Sequence, residues 1–244
     1  MRPAWWRDAP GVTAESGWAC GWSTTAGPDF ASAPDSPAHA RAVADLASAA
    51  GVAAAAWARQ VHGGTALRAD GPGCLGDADA LWTARPGLAV VGRGADCPLV
   101  LVMGPDAAGA GRWGFAHASW RSTVAGITGG LLADMAADGM RPDRTRAVIA
   151  PSAGPCCYEV GPEVAAAARD HFGAAASDWF PLLGDGRAFD LWRAAARELE
   201  TGGVPAAAIR PSGICTICGT GPYPSHRREQ GRAGRFAALS GGRV

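Results

Sequence analysis

The chain contains neither lysine nor asparagine, and each absence excludes a class of function. All 22 residues in the lysine plus arginine count are arginine. Without a lysine amine there is no Schiff-base catalysis, no lysine-anchored pyridoxal phosphate, no Walker loop and no lysine-dependent kinase site. Without asparagine there is no N-glycosylation sequon. A positive contact to a phosphate must therefore come from arginine, metal, backbone amides or protonated histidine.

Long hydrophobic runs and net charge are also missing. The longest apolar runs, such as Pro98 to Met103, are far too short to span a bilayer, and the N-terminus has no apolar signal-peptide core. The formal net charge of +0 gives no long-range attraction toward nucleic acid or an anionic membrane. We therefore expect a cytoplasmic protein whose partner is a small molecule, with no nucleic-acid or membrane partner.

A length of 244 residues with 48% apolar residues is ample for one sizeable core. There is no internal repeat and no charged or Ser/Gly linker, so residues 1–244 are expected to form a single domain. Predicted strands and helices interleave without the regular rhythm of a doubly wound sheet. This pattern predicts an α+β fold with a mixed sheet flanked by helices.

Helix ends and short apolar runs mark the main predicted elements. Ser36, Pro37 and Gly51 have the N-cap, N1 and C-terminal signals of a helix. Ser122 or Thr123 is expected to cap a later helix. Further helices are predicted from Pro162 to about Phe172 and from Asp190 to near Gly202, and strands at 53–61, 65–69, 88–91, 98–103, 112–116 and 147–150.

Seven cysteines make an odd count in a chain too long to need disulfide bridges, so reduced thiols are expected. Cys215 and Cys218 have the Cys-x-x-Cys spacing of a redox motif or zinc knuckle. Because no second pair with that spacing exists, structural thiols are the favoured interpretation, although some cysteines are candidates for metal binding.

His62, Cys97 and His117 each stand at the end of a predicted strand. If these strands are neighbours, two imidazoles and a thiolate converge, leaving a fourth position for water or substrate, as a catalytic zinc requires. Each residue also has an ordinary interpretation, since buried cysteines usually behave as small hydrophobes and most lone histidines are core or turn residues. The spacing alone leaves both interpretations open.

Several longer motifs occur in a fixed order along the chain. They are Gln60-Val61-His62-Gly63, Asp77-Ala78-Asp79-Ala80-Leu81, Ala95-Asp96-Cys97-Pro98, His117-Ala118-Ser119-Trp120-Arg121, Gly154-Pro155-Cys156-Cys157-Tyr158-Glu159 and Ser225-His226-Arg227-Arg228. In this order, over roughly Gln60 to Arg235, they resemble the YfiH-like family, known also as the polyphenol oxidase or laccase-domain family. Its members include purine nucleoside phosphorylases and the bacterial peptidoglycan editing factor.

The resemblance implies a single α+β domain of the CNF1/YfiH-like type, in which His62, Cys97 and His117 hold a zinc ion. It further implies phosphorolysis of adenosine, inosine and 5'-methylthioadenosine, and deamination of adenosine. Zinc chemistry suits both reactions, because the metal lowers the pKa of a bound water to about 7 and also polarises a phosphate oxygen. The usual zinc-deaminase signature is absent, since Pro155-Cys156-Cys157 lacks its spacing.

Two serines depart from the family pattern. Ser119 and Ser122 replace glycines beside the expected metal, where they narrow the pocket, bind a different substrate or strain the turn. His226 also stands where the family usually has tyrosine. These changes are what we expect of a specialised relative with an altered substrate.

Other residues are candidates for binding substrate. Arg121 is predicted to hold a phosphate or carboxylate near the metal, although its side chain could instead lie along Trp120. Gln60, Ser119, Tyr158 and Arg228 are predicted substrate-binding residues. Arg227, Arg235 and Glu159 are further candidates, with a solvated basic surface and a loop-pinning carboxylate as the alternatives.

Multicopper oxidation is excluded by counting ligands. A four-copper oxidase needs roughly ten imidazoles, whereas this chain has 5 histidines. A single copper ion at a His-Cys-His site is compatible with the ligand set.

The sequence predicts a zinc-dependent purine nucleoside phosphorylase with nucleoside and phosphate as substrates and possible adenosine deaminase activity. One alternative is a hydrolase or tailoring enzyme with Cys97 as nucleophile and His117 as base. Others are a copper-dependent oxidoreductase acting on a small phenol and a non-catalytic binding or editing protein. The oligomeric state is left open.

Overall fold

The computed structural model describes residues 2–11 and 17–243, which form strands, helices and short 3-10 segments. The helices are α1 (Pro37–Ala50), α2 (Trp120–Val124), α3 (Ile127–Ala137), α4 (Pro162–Phe172) and α5 (Leu191–Thr201). The strands are β1 (Trp6–Asp8), β2 (Trp18–Ser23), β3 (Ala54–Arg59), β4 (Ala66–Arg68), β5 (Gly73–Asp77), β6 (Ala80–Thr83), β7 (Leu88–Gly94), β8 (Leu99–Pro105), β9 (Gly111–His117), β10 (Arg146–Ile149), β11 (Glu159–Val160), β12 (Leu182–Leu183), β13 (Gly186–Ala188), β14 (Ile209–Pro211) and β15 (Phe236–Gly242).

Two six-stranded mixed sheets make up the body of the fold. The first has the order β1-β2-β15-β7-β3-β5 and the second β14-β10-β8-β9-β6-β4. In the first sheet β7 pairs antiparallel with β15 and parallel with β3. In the second, β8 lies antiparallel to both β9 and β10. A small third sheet has the order β11-β13-β12.

The sheets face one another across the main core, and helices cover their outer faces. On β8, Leu99 and Leu101 point into the core between the sheets, whereas Val100 and Val102 pack toward α3 and α5. On β7 the same alternation turns Val90 inward and the neighbouring residues toward α1. Strands buried on both faces read as continuous apolar runs, which is why these two stand out in the sequence.

The predicted α+β fold with a mixed sheet and flanking helices is confirmed, with the mixed sheet present as two layers. The helix signals at Ser36 and Gly51 are confirmed, because the Ser36 hydroxyl accepts the backbone N–H of His39 and Gly51 ends α1 with φ 74°. Asp190 caps α5 in the same way. No helix in the described part of the chain has the length and apolar character needed to cross a membrane.

The expected cap at Ser122 or Thr123 is wrong. The Ser119 hydroxyl is the cap, accepting the backbone N–H of Ser122, and it begins the short helix α2. Gly126 then interrupts the helical path with φ 73° before α3 starts. The apolar periodicity across residues 124–135 hides this break, because it continues through the glycine.

Candidate functional site

His62 lies in the loop after β3, where the carboxylate of Asp79 holds its backbone. Asp79 accepts the backbone N–H groups of Val61 at 3.2 Å, His62 at 3.0 Å and Gly63 at 2.7 Å. His62 has φ 61°, a left-handed conformation that is uncommon for residues with a side chain. Three hydrogen bonds to one carboxylate stabilise this turn and thereby fix the direction of the imidazole.

The same carboxylate orients His117, the buried last residue of β9. Nδ1 of His117 lies 2.8 Å from Oδ1 of Asp79, which leaves Nε2 as the ring atom available to Cys97. Burial opposes ionisation of Asp79, but the hydrogen bonds from His117 and the loop amides outweigh it and lower the pKa of Asp79 below its usual value. Asp79 is therefore a carboxylate that organises both histidines.

Cys97 lies in the turn between β7 of the first sheet and β8 of the second, so the site forms where the two sheets meet. The sulfur of Cys97 and one ring nitrogen each of His62 and His117 all lie within 4.8 Å of one another. The two imidazole rings meet edge to face with centroids 5.0 Å apart. The predicted convergence of three strand-end residues is thus present in the structure.

The thiol and the imidazole shift each other's ionisation in opposite directions. Burial raises the pKa of Cys97, but the charges and hydrogen bonds of His117 and His62 prevail and lower it to about 6. Burial lowers the pKa of His117, but Cys97 and Asp79 prevail and raise it to about 9. In metal-free protein these shifts favour a thiolate beside an imidazolium, whereas binding of a metal ion would displace the proton from the coordinating nitrogen of His117.

Asp96, next to Cys97, ties the C-terminal tail to the site. Its backbone has φ 87°. Its carboxylate accepts the Thr216 hydroxyl at 2.6 Å and the backbone N–H of Arg227 at 2.7 Å. The turn-rich tail, which is basic in sequence, is therefore held against the Cys97 turn.

A cavity of about 320 Å³ opens onto the three strand-end residues. This volume is at the lower end of the range for small-molecule sites. The lining residues come from both sheets, the Tyr158 loop and the tail: Gln60, His62, Arg93, Gly94, Ala95, Asp96, Cys97, His117, Tyr158, His226, Arg227 and Arg235.

Three of the lining residues are arginines, namely Arg93, Arg227 and Arg235. Each guanidinium donates to backbone carbonyl oxygens, at 2.7 Å for the shortest contacts of Arg93 and Arg235 and 3.3 Å for Arg227. Within residues 2–11 and 17–243, none of the three has a carboxylate within ion-pair distance. Burial and the charge of Arg235 lower the pKa of Arg93. The cavity wall therefore carries three guanidinium groups and one carboxylate, that of Asp96, and this excess of positive charge suits an anion.

Several residues predicted from the sequence lie at or beside the cavity. The Gln60 amide donates to the Arg93 carbonyl at 2.8 Å and accepts the Arg93 N–H at 2.9 Å, so it is occupied by backbone. Tyr158 lines the cavity and lies under the Arg227 guanidinium, 5.2 Å from its ring centroid. Ser119 is buried, with its hydroxyl 2.7 Å from that of Ser122.

The other two arginines expected near the anion lie elsewhere. Arg121 is exposed on α2, with its guanidinium stacked 4.2 Å over the Trp120 ring. Arg228 lines a different cleft, and its guanidinium donates to the carbonyl oxygens of Thr216 and Tyr223. Of the Arg227-Arg228 pair, the structure brings only Arg227 to the cavity.

The organising roles of Asp79 and Arg93 were missed from the sequence. Asp79 belongs to the Asp77-Ala78-Asp79-Ala80-Leu81 motif. Nothing in this motif indicates that the Asp79 carboxylate binds backbone N–H groups in the His62 loop. Arg93 did leave a signal, as the lone charge at the end of the apolar strand β7. Nothing in the sequence showed that Arg93 faces the cavity.

The three strand-end side chains fit a zinc ion. One thiolate and two imidazoles are ligands that zinc prefers, and the open side toward the cavity leaves a fourth coordination position. The carboxylate of Asp79 on Nδ1 of His117 is the arrangement that usually fixes the tautomer of a metal-binding histidine.

Residues 29–241 match the family described as multi-copper polyphenol oxidoreductase laccase, also named Cu-oxidase_4. The chain belongs to this family. The resemblance drawn from the motifs is thereby confirmed. A purine nucleoside phosphorylase of Pseudomonas aeruginosa is 38% identical over 188 residues, which cover 75% of this chain and 72% of the relative. Adenosine deaminase RL5, from an unknown prokaryotic organism, is 36% identical over 162 residues, covering 64% and 59%.

The fold of this Cu-oxidase_4 member is also that of a solved structure. The crystal structure of YlmD from Geobacillus stearothermophilus superposes with a TM-score of 0.82 at 26% identity, covering 100% of this chain and 98% of that one. The arrangement of the two six-stranded sheets therefore belongs to a known architecture.

The positions of the histidines bear on the family description. His39 packs between Phe30 and Trp57, away from the cavity, and His171 lies against Phe172. Only His62, His117 and His226 of the chain's 5 histidines line the cavity. Three imidazoles are too few for a set of four coppers.

Proposed function

We propose that the chain is a zinc-dependent purine nucleoside phosphorylase acting on adenosine, inosine or 5'-methylthioadenosine. The observation that carries the proposal is that His62, Cys97 and His117 open into the same cavity as three arginines, none of which has a carboxylate within ion-pair distance among the described residues. A metal site and an anion site are thus adjacent, an arrangement that would bind phosphate next to a nucleoside. The Pseudomonas aeruginosa relative bears the name of this activity.

His62, Cys97 and His117 would hold the zinc ion, and Asp79 would keep His117 in the correct tautomer. When bound, zinc supplies a positive charge that orients a phosphate oxygen or lowers the pKa of a water molecule. Gln60 is proposed as a positioning residue, because its amide clamps the backbone of Arg93. Ser119 is proposed as a second one, since it caps the helix that follows His117.

Phosphorolysis forms a bond between a phosphate oxygen and C1' of the ribose while the C1'–N9 bond breaks. The electron pair leaves with the purine, which takes up a proton. Arg93, Arg227 and Arg235 bind the phosphate charge in the cavity, whereas Arg121 and Arg228 lie outside it. Burial first, and then the charge of Cys97, raises the pKa of Tyr158 to about 12. Its hydroxyl therefore stays protonated and donates a hydrogen bond to substrate.

Adenosine deamination is proposed as a second reaction of the same site, because the RL5 relative is named for it. In this reaction water attacks C6 of the purine and ammonia leaves.

The test measures base release from the three nucleosides, with and without phosphate and with and without a chelator. We expect turnover that requires phosphate, is lost on chelation and returns on adding zinc. His117→Ala should abolish it, whereas Cys74→Ser, a change at an exposed cysteine, should retain it. No turnover by zinc-loaded protein with any of the three nucleosides contradicts the proposal.

A cysteine hydrolase is the second candidate, favoured by the thiolate–imidazolium pair of Cys97 and His117 with Asp79 behind it. Metal-free protein would then hydrolyse an ester or amide, and a thiol alkylator would block it. Zinc-dependent turnover protected from alkylation by bound zinc favours the phosphorylase.

A further inference from the structure

Four cysteines outside the cavity form a second cluster: Cys156, Cys157, Cys215 and Cys218. Their sulfur atoms all lie within 4.8 Å of one another. Cys156 and Cys157 belong to one segment, and Cys215 and Cys218 to another. Cys156 contacts Cys218, which lies 62 positions later in the chain. Four thiols converging from two distant segments require an explanation that the nucleoside chemistry does not provide.

We propose that this four-cysteine cluster is a structural zinc site in which all four sulfurs bind one ion. Tetrahedral coordination with Zn–S bonds of about 2.3 Å places neighbouring sulfurs roughly 3.8 Å apart. Sγ of Cys156 and Sγ of Cys218 are 3.6 Å apart. Binding converts the thiols to thiolates and releases their protons.

The backbone around the cluster brings the sulfurs together. Residues 155–157 form a turn closed by the N–H groups of Cys157 and Tyr158, both donating to the Gly154 carbonyl at 3.0 Å. This turn brings two consecutive cysteines to one ion. The Cys215–Cys218 spacing closes a second turn, in which the Gly219 N–H donates to the Cys215 carbonyl at 2.9 Å. Cys-x-x-Cys turns of this kind are common in zinc sites.

The close approach of the two segments depends on Gly154. A Cβ added there would lie 2.9 Å from the Trp192 ring and 3.3 Å from Cβ of Cys215. The N–H of Gly154 donates to Sγ of Cys215 at 3.3 Å. Only a residue without a side chain lets this amide reach the sulfur, and amide contacts of this kind stabilise a thiolate ligand.

A zinc ion bound to the four cysteines would fix the positions of two segments beside the cavity, the Tyr158 loop and the tail. Tyr158, which lines the cavity, follows Cys157 directly in the chain. Thr216, which follows Cys215, donates to the Asp96 carboxylate next to Cys97. The four-cysteine site would therefore act on catalysis through the position of the Tyr158 loop and the tail, without touching substrate.

The test counts zinc by mass spectrometry and its ligands by X-ray absorption in reduced, full-length protein. The unaltered chain should bind two zinc ions. His62→Ala/His117→Ala should keep one, surrounded by sulfur alone, and Cys156→Ser/Cys218→Ser should keep one with nitrogen and sulfur neighbours. Cys74→Ser is the matched control and should keep both.

The zinc count of the unaltered chain and the sulfur shell of the double-histidine variant do not depend on whether the cysteine variants fold. One zinc ion in the unaltered chain and none in the double-histidine variant would overturn the proposal. A Cys156–Cys218 disulfide in the freshly purified protein, or iron in place of zinc, would also overturn it.

Discussion

Oδ1 of Asp79 lies 2.8 Å from Nδ1 of His117, and the same carboxylate receives the backbone N–H of His62. One buried side chain thus sets the ring direction of one proposed ligand and the backbone conformation of the other.

Asp79→Asn should therefore weaken zinc binding without removing a ligand. An amide cannot act as a charged acceptor for His117 and three backbone N–H groups together, so we expect zinc affinity to fall about 10- to 100-fold. Competition with a chromophoric chelator measures it. Asp77→Asn, two positions away on an exposed carboxylate paired with Arg59, is the control and should leave affinity unchanged. Equal affinities in the two variants would refute the role of Asp79.

Replacing Arg227 and replacing Arg228 by alanine should have different effects. Arg227→Ala removes positive charge from the cavity and should raise the KM for phosphate by about tenfold or more, the loss expected for hydrogen bonds to a charged group. Arg228→Ala should leave that KM nearly unchanged and lower thermal stability, because its guanidinium binds the carbonyl oxygens of Thr216 and Tyr223. Steady-state kinetics and thermal unfolding separate the two effects, and the reverse pattern would contradict the assignment.

Glu198 should make stability depend on pH. Burial raises its pKa from 4.5 to about 7, although N–H groups of Gly129 and Thr128 oppose the shift. A carboxyl with a raised folded-state pKa contributes stability below its unfolded pKa, and this stability is lost as pH rises through the folded value. The free energy of unfolding should therefore fall by about 2 to 3 kcal/mol from pH 4 to pH 8 through this group.

Urea unfolding at several pH values measures this dependence. Glu198→Gln cannot ionise, so its stability should vary less over the same range. A variant with the full pH dependence of the unaltered protein would show that another group is responsible.

Ser119 should contribute to the stability of the protein as the N-cap of α2. Ser119→Ala removes the acceptor for the Ser122 N–H and should destabilise the protein by about 1 kcal/mol, whereas Ser119→Gly should lose only a few tenths. Chemical unfolding measures both. An altered KM for nucleoside with unchanged stability would instead place the hydroxyl on the substrate.

The sequence predicted those elements whose signals are local. The helix from Ser36 to Gly51 and the helix over Pro162–Phe172 carry their own caps or prolines. Strands β1, β2 and β15 were not predicted, because tryptophan, glycine and alanine dominate them and their pairing joins the two ends of the chain. Long-range pairing of this kind leaves little local pattern.

The metal-ligand set was predicted from strand ends together with family resemblance, and the structure brings its three members together. The sequence did not predict which arginines line the cavity, because their positions depend on how the tail folds. Asp96, through the backbone of Arg227, decides which member of the Arg227-Arg228 pair faces the cavity. No spacing in the sequence carries that information.

The metal group and the arginine-lined cavity are proposed to form one phosphorolytic site. Phosphorus NMR of the zinc-loaded protein with inosine and inorganic phosphate detects the product of that site. We predict a ribose 1-phosphate signal that grows in step with free hypoxanthine and does not form with His117→Ala. Hypoxanthine with free ribose, or no product at all, would contradict phosphorolysis at this site.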